Sequence, residues 1–531
     1  MPGSRLKYIL FLAVVLASLF VAVEAALWLA GVAPAADNSD PFVGFAGYAP
    51  LFVPGIGADG AATPVTAESK LPFFNRQEFP AQKAPGTFRI FCVGGSTMYG
   101  HPYDDLTSCC GWLRAMLPKC DPSQRWELIN AGGISYASYR SVRLMRELAQ
   151  YEPNLFLVYS GDNEFLERRS YSNLIEMPAF VRATLAGLGH SRVYTVVARL
   201  AQGKRAAQLT QDGGRLLSAE VDTMLDQRFG PSQYERDEAW RAGVLQHFRY
   251  NLEAMSRIAK DAGASIVFIT PPSNLADCTP FKSVNKDGMS DTVYGEFSRL
   301  LKLGETALGE GQAGAALEFL DKALALDGRC ADALYRRGQA LLRLGRYGEA
   351  RAGLTQARDE DVCPLRAPSS FIEAVRDVAA KTQAPLVDFE AFAAGSSPHG
   401  IPGKEFFLDH VHSTIEGYRQ LALLVMNVMA ETDRLHPGPH WNEDVQLRVK
   451  LDVEAEITPA THAHALCNLA RVLAWAGKHE DALPLARRAV EMAPQDAENH
   501  FILGVVLENL GHREEAELEY EEVKRLEDAR D

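Results

Sequence analysis

A serine follows the short apolar run at residues 88–93 directly, in the string Val93-Gly94-Gly95-Ser96-Thr97. Such a run reads as a buried strand, which puts Ser96 at the carboxyl edge of a sheet, where open α/β folds bind their ligands. Two more polar segments follow short apolar runs, Asn130-Ala131-Gly132-Gly133 and Gly161-Asp162-Asn163-Glu164-Phe165. A fourth, Asp409-His410-Val411-His412, lies late in the chain. Together they hold a hydroxyl, an imidazole, a carboxylate and hydrogen-bond donors, the set that acyl transfer through a serine requires. Ser96 alone would read as a helix cap, and the convergence of the other segments on one edge shifts that reading. Asp409, His410 and His412 also fit a metal cluster, but no cysteine or further carboxylate stands near them, so neither a metal nor any cofactor is expected.

Bringing these segments together takes a parallel sheet. Strands are expected at 88–93, 127–129, 155–159, 265–270 and 386–389, with helical spacing over 112–117 and 141–150. Strands alternating with helices predict βαβ units and a doubly wound α/β domain. Polar, helix-like residues at about 165–240 interrupt the rhythm and read as a cap over the sheet. A different period appears further on. Gly304, Ala316 and Ala323 recur 34 residues later as Gly338, Ala350 and Ala357; Ala470, Ala482 and Ala489 set the same frame again, followed by Gly504 and Ala516. Small residues at these offsets let paired helices approach closely. With Leu334, Tyr335, Leu341, Gly345 and Tyr347, this pattern resembles the tetratricopeptide repeat. One pair is expected at 297–364, spliced into the sheet domain, and another at 463–531; a protein partner is expected for them.

The four chemical segments, in this order, resemble the SGNH (GDSL-like) hydrolase family. Gly94-Gly95-Ser96-Thr97 looks like its first block, Asn130-Ala131-Gly132 its second, Gly161-Asp162-Asn163-Glu164 its third, and Asp409 with His412 its final Asp-x-x-His. The resemblance covers 88–296 and 365–435. Gly95, Ser135 and Glu164 depart from the commoner residues Asp, Gly and Asp. The resemblance implies an ester hydrolase in which Ser96 attacks, His412 is the base and Asp409 orients it. Ser96 and Gly132 through their N–H groups, with the Asn163 amide, would form the oxyanion hole. His410 is a rival base. The substrate implied is an O-acyl ester, acetyl first among them, with an acylated envelope glycan one candidate. An acyltransferase using the same serine, or a repeat scaffold with a vestigial core, are the alternatives. Arg366, where the chain re-enters the sheet domain, is expected either at the rim of the site, binding an anionic substrate group, or in a structural ion pair.

The remaining features bound the setting. Lys and Arg number 54 against 68 Asp and Glu, a net charge of −14 that argues against nucleic acid as a partner. Residues 463–531 alone hold 8 Lys and Arg against 15 Asp and Glu, so half of the net charge sits on the terminal repeats. Arg5 and Lys7 precede an apolar stretch at 8–32 broken only by Glu24. It is read as a single N-terminal transmembrane helix (1–33), or a cleaved signal peptide, with the other domains outside the cytoplasm. Residues 34–87 are read as an extended stalk or wrapping segment, and 436–462 as a linker. Cys109, Cys110 and Cys120 stand close enough for a local bridge, and Cys278 and Cys363 flank the neck of the first repeat pair, although connectivity cannot be read from sequence.

Overall fold

Two antiparallel strands, β1 (Phe52–Ile56) and β2 (Ala62–Thr66), precede five parallel strands in the computed structural model. These are β3 (Thr87–Gly94), β4 (Arg125–Gly132), β5 (Leu155–Tyr159), β6 (Ser265–Ile269) and β7 (Leu386–Val387). The structure describes residues 3–30, 40, 42, 49–56, 60, 62–169, 191–193, 196, 217, 220–224 and 230–529. Two units are distinguished: residues 1–49, 169–222 and 238–243 form one, and 50–168, 223–237 and 244–531 the other.

In the larger unit the strands stand in the order β4-β3-β5-β6-β7. Register explains why distant segments share an edge: Gly94 pairs with Gly132 on one side and with Tyr159 on the other. Three strands therefore end level, and whatever follows each of them emerges at one place. Their residues are almost wholly buried, as a sheet covered by helices on both faces requires. Ile90, Cys92, Leu157 and Ile269 share a core with helices α3 (Cys109–Cys120), α11 (Phe389–Ser396) and α12 (Ile415–Glu431). The helices numbered before these are α1 (Gly3–Leu29) and the single turn α2 (Ser96–Tyr99); α4 (Ser138–Leu148), α5 (Glu238–Asp261) and α10 (Ser369–Thr382) also belong to the α/β part of the chain.

The segment before the sheet wraps around it. Leu51, Phe52, Phe74 and Phe79 are buried; the Leu51 and Phe52 N–H groups donate to Glu147 at 2.9 and 2.8 Å, and Phe74 bridges to Gly133. Most of the cap expected at about 165–240 lies outside the described residues.

Between β6 and α10 the chain makes four helices, α6 (Asp291–Gly309), α7 (Ala313–Leu326), α8 (Ala331–Arg343) and α9 (Tyr347–Asp359). After α13 (Glu443–Ala455) four more follow: α14 (Pro459–Trp475), α15 (His479–Met492), α16 (Ala497–Asn509) and α17 (Arg513–Asp528). The small residues of the repeat do what their spacing predicts. A Cβ on Gly338 would lie 2.6 Å from Leu354 Cγ, and one on Gly504 would lie 2.6 Å from the Tyr520 ring. Only glycine lets these helices come so close.

The smaller unit corrects one expectation. Residues of α1 are helical, yet no helix among the described residues is long and apolar enough to cross a membrane. The uncharged run between Lys7 and Glu24 is residues 8–23, short of the ~20 residues that span hydrocarbon. Glu24 is moreover held by its own chain, accepting hydrogen bonds from Ser191 Oγ and from the N–H groups of Arg192 and Val193, both at 3.0 Å. The single-pass anchor, and the membrane-anchored placement deduced from it, are overturned. The bridges considered for the cysteines are not formed either: all eight are buried free thiols.

Candidate active site

Ser96 opens α2 one residue after Gly95, at the end of β3. Gly95 stands close to the next block: a Cβ there would lie 2.3 Å from Asn163 Nδ2, and that side chain would have to shift. Among the described residues no hydrogen bond uses the Ser96 N–H, as expected for the first turn of a helix. Its hydroxyl stands 2.8 Å from His412 Nε2, and His412 Nδ1 stands 2.6 Å from Asp409 Oδ2.

The loop carrying the acid and the imidazole is fixed from several directions. Asp409 Oδ1 accepts from the N–H groups of Val411 (2.9 Å) and His412 (2.8 Å), and Leu408 N–H donates to the His412 carbonyl at 2.8 Å. Thr414 caps α12 immediately afterwards, accepting from Gly417 N–H. Asn274, in the loop after β6, donates its amide to the Asp409 carbonyl at 3.0 Å, and its N–H to that of His410 at 2.9 Å. Sequence reasoning missed Asn274; the only signal was its position just after Pro271-Pro272 at a strand end. Burial raises the Asp409 carboxyl, but the neighbouring His412 and His410 and the hydrogen bonds from His412 outweigh it. The group is held far below the usual carboxylate range and stays ionised.

His410 is differently placed. Its Nδ1 is 3.5 Å from Asp409 Oδ1 and has no hydrogen-bond partner among the described residues. Burial pushes the imidazole down to about 3, against the pull of Asp409, so it is neutral near pH 7. Asp409, His410 and His412 do offer ligand atoms within 4.8 Å of one another. The Asp409–His412 contact at 2.6 Å, however, has hydrogen-bond geometry.

The expected oxyanion donors divide. Asn163 Nδ2 donates to the Tyr136 carbonyl at 3.1 Å, leaving its second amide hydrogen, and sits against Gly95. Gly132 N–H, by contrast, is already donated to Asn130 Oδ1 at 3.0 Å, inside β4, and is taken out of the donor set on that ground. Ser135 lies three residues on with φ of 62°, the left-handed region that glycine favours, and its N–H is absent from the hydrogen bonds of the described residues. The departure noted at this position was therefore the informative one. Asn130 is a clamp, its amide reaching the Tyr99 carbonyl (3.1 Å) and Asp105 (2.8 Å). Glu164 is fully buried and accepts from the Ser138 N–H and hydroxyl, both at 2.8 Å, which secures the start of α4.

Arg366 is not on a rim. Its side chain is 3% exposed, donates to the carbonyls of Asn274 (2.8 Å) and Cys278 (3.0 Å), and lies 3.8 Å from Asp361. The structural alternative is the one observed. His462 puts Nδ1 2.9 Å from the Tyr103 hydroxyl.

Comparison with known proteins completes the picture. Tetratricopeptide-repeat family models match residues 307–362 and 467–529. No curated protein matches the chain. Among solved structures, a lipase/acylhydrolase from Enterococcus faecalis aligns at 14% identity over 66% of this chain and 98% of its own, with a TM-score of 0.29. An acetylxylan esterase from Geobacillus stearothermophilus gives 10%, 64%, 94% and 0.28. A GDSL-like lipase from Bacteroides thetaiotaomicron gives 11%, 65%, 88% and 0.26. These are likenesses at low TM-score and do not bear on activity. The chain combines a parallel-sheet α/β domain with helical tetratricopeptide repeats.

Proposed function

We propose that the chain is a serine ester hydrolase with Ser96 as nucleophile, His412 as base and Asp409 as orienting acid. The observation that carries this is the unbroken line from Ser96 Oγ to His412 Nε2 (2.8 Å) and from His412 Nδ1 to Asp409 Oδ2 (2.6 Å). In the reaction Ser96 Oγ bonds to the acyl carbon while His412 Nε2 takes its proton. His412 returns that proton to the leaving alcohol, and water then releases the acid by the same steps reversed. An ionised Asp409 stabilises the imidazolium that forms in between. Oxyanion donors are the Ser96 and Ser135 N–H groups and the Asn163 amide. The substrate is an O-acyl ester, with acetyl the acyl group. The sheet domain comprises 88–296 and 365–435, and the helical pairs at 297–364 and 463–531 bind a protein partner.

Labelling of the purified full chain by a fluorophosphonate, followed by hydrolysis of p-nitrophenyl acetate, tests this reading. Wild type is expected to label and turn over, with Ser96→Ala and His412→Ala each reducing turnover by about 1,000-fold or more. A wild type that does not label, or a Ser96→Ala variant that labels equally, would falsify it.

A further inference from the structure

Two imidazoles that the proposed chemistry does not use lie against His412. The His101 ring is 4.6 Å from the His412 ring, centroid to centroid, and the His410 ring is 5.7 Å away. Both side chains are buried, and each has a ring nitrogen without a hydrogen-bond partner among the described residues, Nε2 of His101 and Nδ1 of His410. Burial, then the neighbouring His412, keeps His101 well below the usual histidine range. Neither is therefore a second base; each is a neutral ring packed on the first.

What holds these rings comes from the far end of the sequence. His101 is followed by Pro102 and Tyr103. The Tyr103 hydroxyl meets His462 Nδ1 at 2.9 Å, and the Pro102 carbonyl accepts from Asn468 Nδ2 at 3.0 Å, both partners lying on α14. His410 is met edge-on by Phe281 at 5.1 Å. Lys478, in the turn between α14 and α15, lies over that same Phe281 ring at 4.3 Å and donates to Thr279 Oγ1 (2.9 Å) and to its carbonyl (2.8 Å). One helical hairpin thus grips both loops beside the imidazole. The charged groups that face these rings are Asp409, Arg471, Lys478 and Arg366, so two of the three cations come from the same hairpin.

We propose that the C-terminal helical pair is a working part of the active site: through Tyr103 and Lys478 it holds His101 and His410 against the His412 ring and so aligns the base with Ser96. These four are positioning residues. The inference rests on the serine-hydrolase reading, since alignment has no meaning without it. A hydrogen-bonded pair of reacting groups loses rate steeply when one is displaced, about 100-fold for 1 Å, so loosening the grip lowers kcat while leaving acetate-ester binding alone.

The test compares fluorophosphonate labelling rates and p-nitrophenyl acetate kinetics of the full chain carrying Tyr103→Phe, Lys478→Met, or both. Each single change is expected to lower kcat about threefold and the pair about tenfold, with KM within about twofold. Lys478→Arg, which keeps the cation over Phe281, is expected to restore the loss seen with Lys478→Met. Arg487→Ala, on the exposed side of the same hairpin, leaves both constants unchanged. If the double variant melts before assay, the single Tyr103→Phe change, which removes one hydroxyl, decides. Labelled wild type with the double variant inside twofold of it overturns this proposal alone, as does a raised KM at unchanged kcat. Unlabelled wild type overturns the hydrolase reading beneath it.

Discussion

In the first helical pair a glycine faces a leucine at both close approaches, Gly304 with Leu320 and Gly338 with Leu354. The second pair keeps the 16-residue offset but fills it differently, with Gly504 against Tyr520 in one repeat and Ala470 with Ala486, both 1% exposed or less, in the other. The gap between helices is filled either by one large and one absent side chain or by two small ones. Attachment differs as well. The first pair leaves the sheet domain after β6 and returns to it before β7, and it is pinned there by Tyr335 Oη on the Ala276 carbonyl (3.0 Å) and by buried Asp361, which accepts from Phe281 (2.7 Å) and Lys282 (3.0 Å) N–H. The second pair is joined through α13, and touches the sheet domain at residues 102–103, 278–279 and 281. One repeat type therefore serves as a bracket within a domain and as a brace laid against it.

Overpacking should separate these two modes most strongly. Gly338→Val drives a branched side chain into Leu354 and is expected to cost about 3 kcal/mol. Because its chain is tied at both ends, calorimetry should show one transition, shifted down, in which the sheet domain melts with the pair. Gly504→Val, against Tyr520, should instead give a separate early transition for the second pair, across which Ser96 labelling falls but persists. A single shared transition for both variants would erase the distinction. A smaller effect probes the gap itself. Gly338→Ala combined with Leu354→Ala recreates the Ala470–Ala486 solution inside the first pair. A double-mutant cycle in denaturant should give a favourable coupling of about 1–2 kcal/mol; additive costs would mean that the two side chains do not share one space.

Much of this was legible from residue types. The repeats showed themselves because close helix approach admits only small residues at fixed offsets, and the strands because buried parallel strands are continuous apolar runs. That Ser96, Asp409 and His412 meet on one hydrogen-bonded line was legible because each stands in a short string of distinctive residues. Donors and supports were not. Gly132 looked suitable by type, yet whether an N–H is free depends on where the Asn130 side chain turns, which spacing does not record. Ser135 was visible only as an oddity, since a positive φ in a serine is a matter of backbone, not composition. Arg366 was left open between two readings for a related reason: a tertiary contact 88 residues away decides its surroundings. The N-terminal stretch was read by its length, with too little weight on Glu24.

The smallest effect concerns the point where the first pair returns to the sheet domain. There Ala367 N–H donates to Asp162 Oδ1 at 3.1 Å. Burial pushes the Asp162 carboxyl up to about 7, with the Ala367 hydrogen bond and His412 pulling the other way. Its unfolded value is about 4. Between about 4 and 7 the folded chain therefore holds a proton that the unfolded chain has released. The stability this group contributes is full below about pH 4 and is lost as pH rises towards 7. Asp162→Asn keeps the acceptor oxygen but cannot ionise. Relative to wild type, its thermal midpoint should rise by a few degrees between pH 5 and pH 8, on the order of 1 kcal/mol. Were the bracket held only by the Ala367 hydrogen bond, the two proteins would differ by the same amount at both pH values. A widening gap instead locates a titrating carboxyl at the returning tether, a control that a pair tied through α13 and surface contacts does not share.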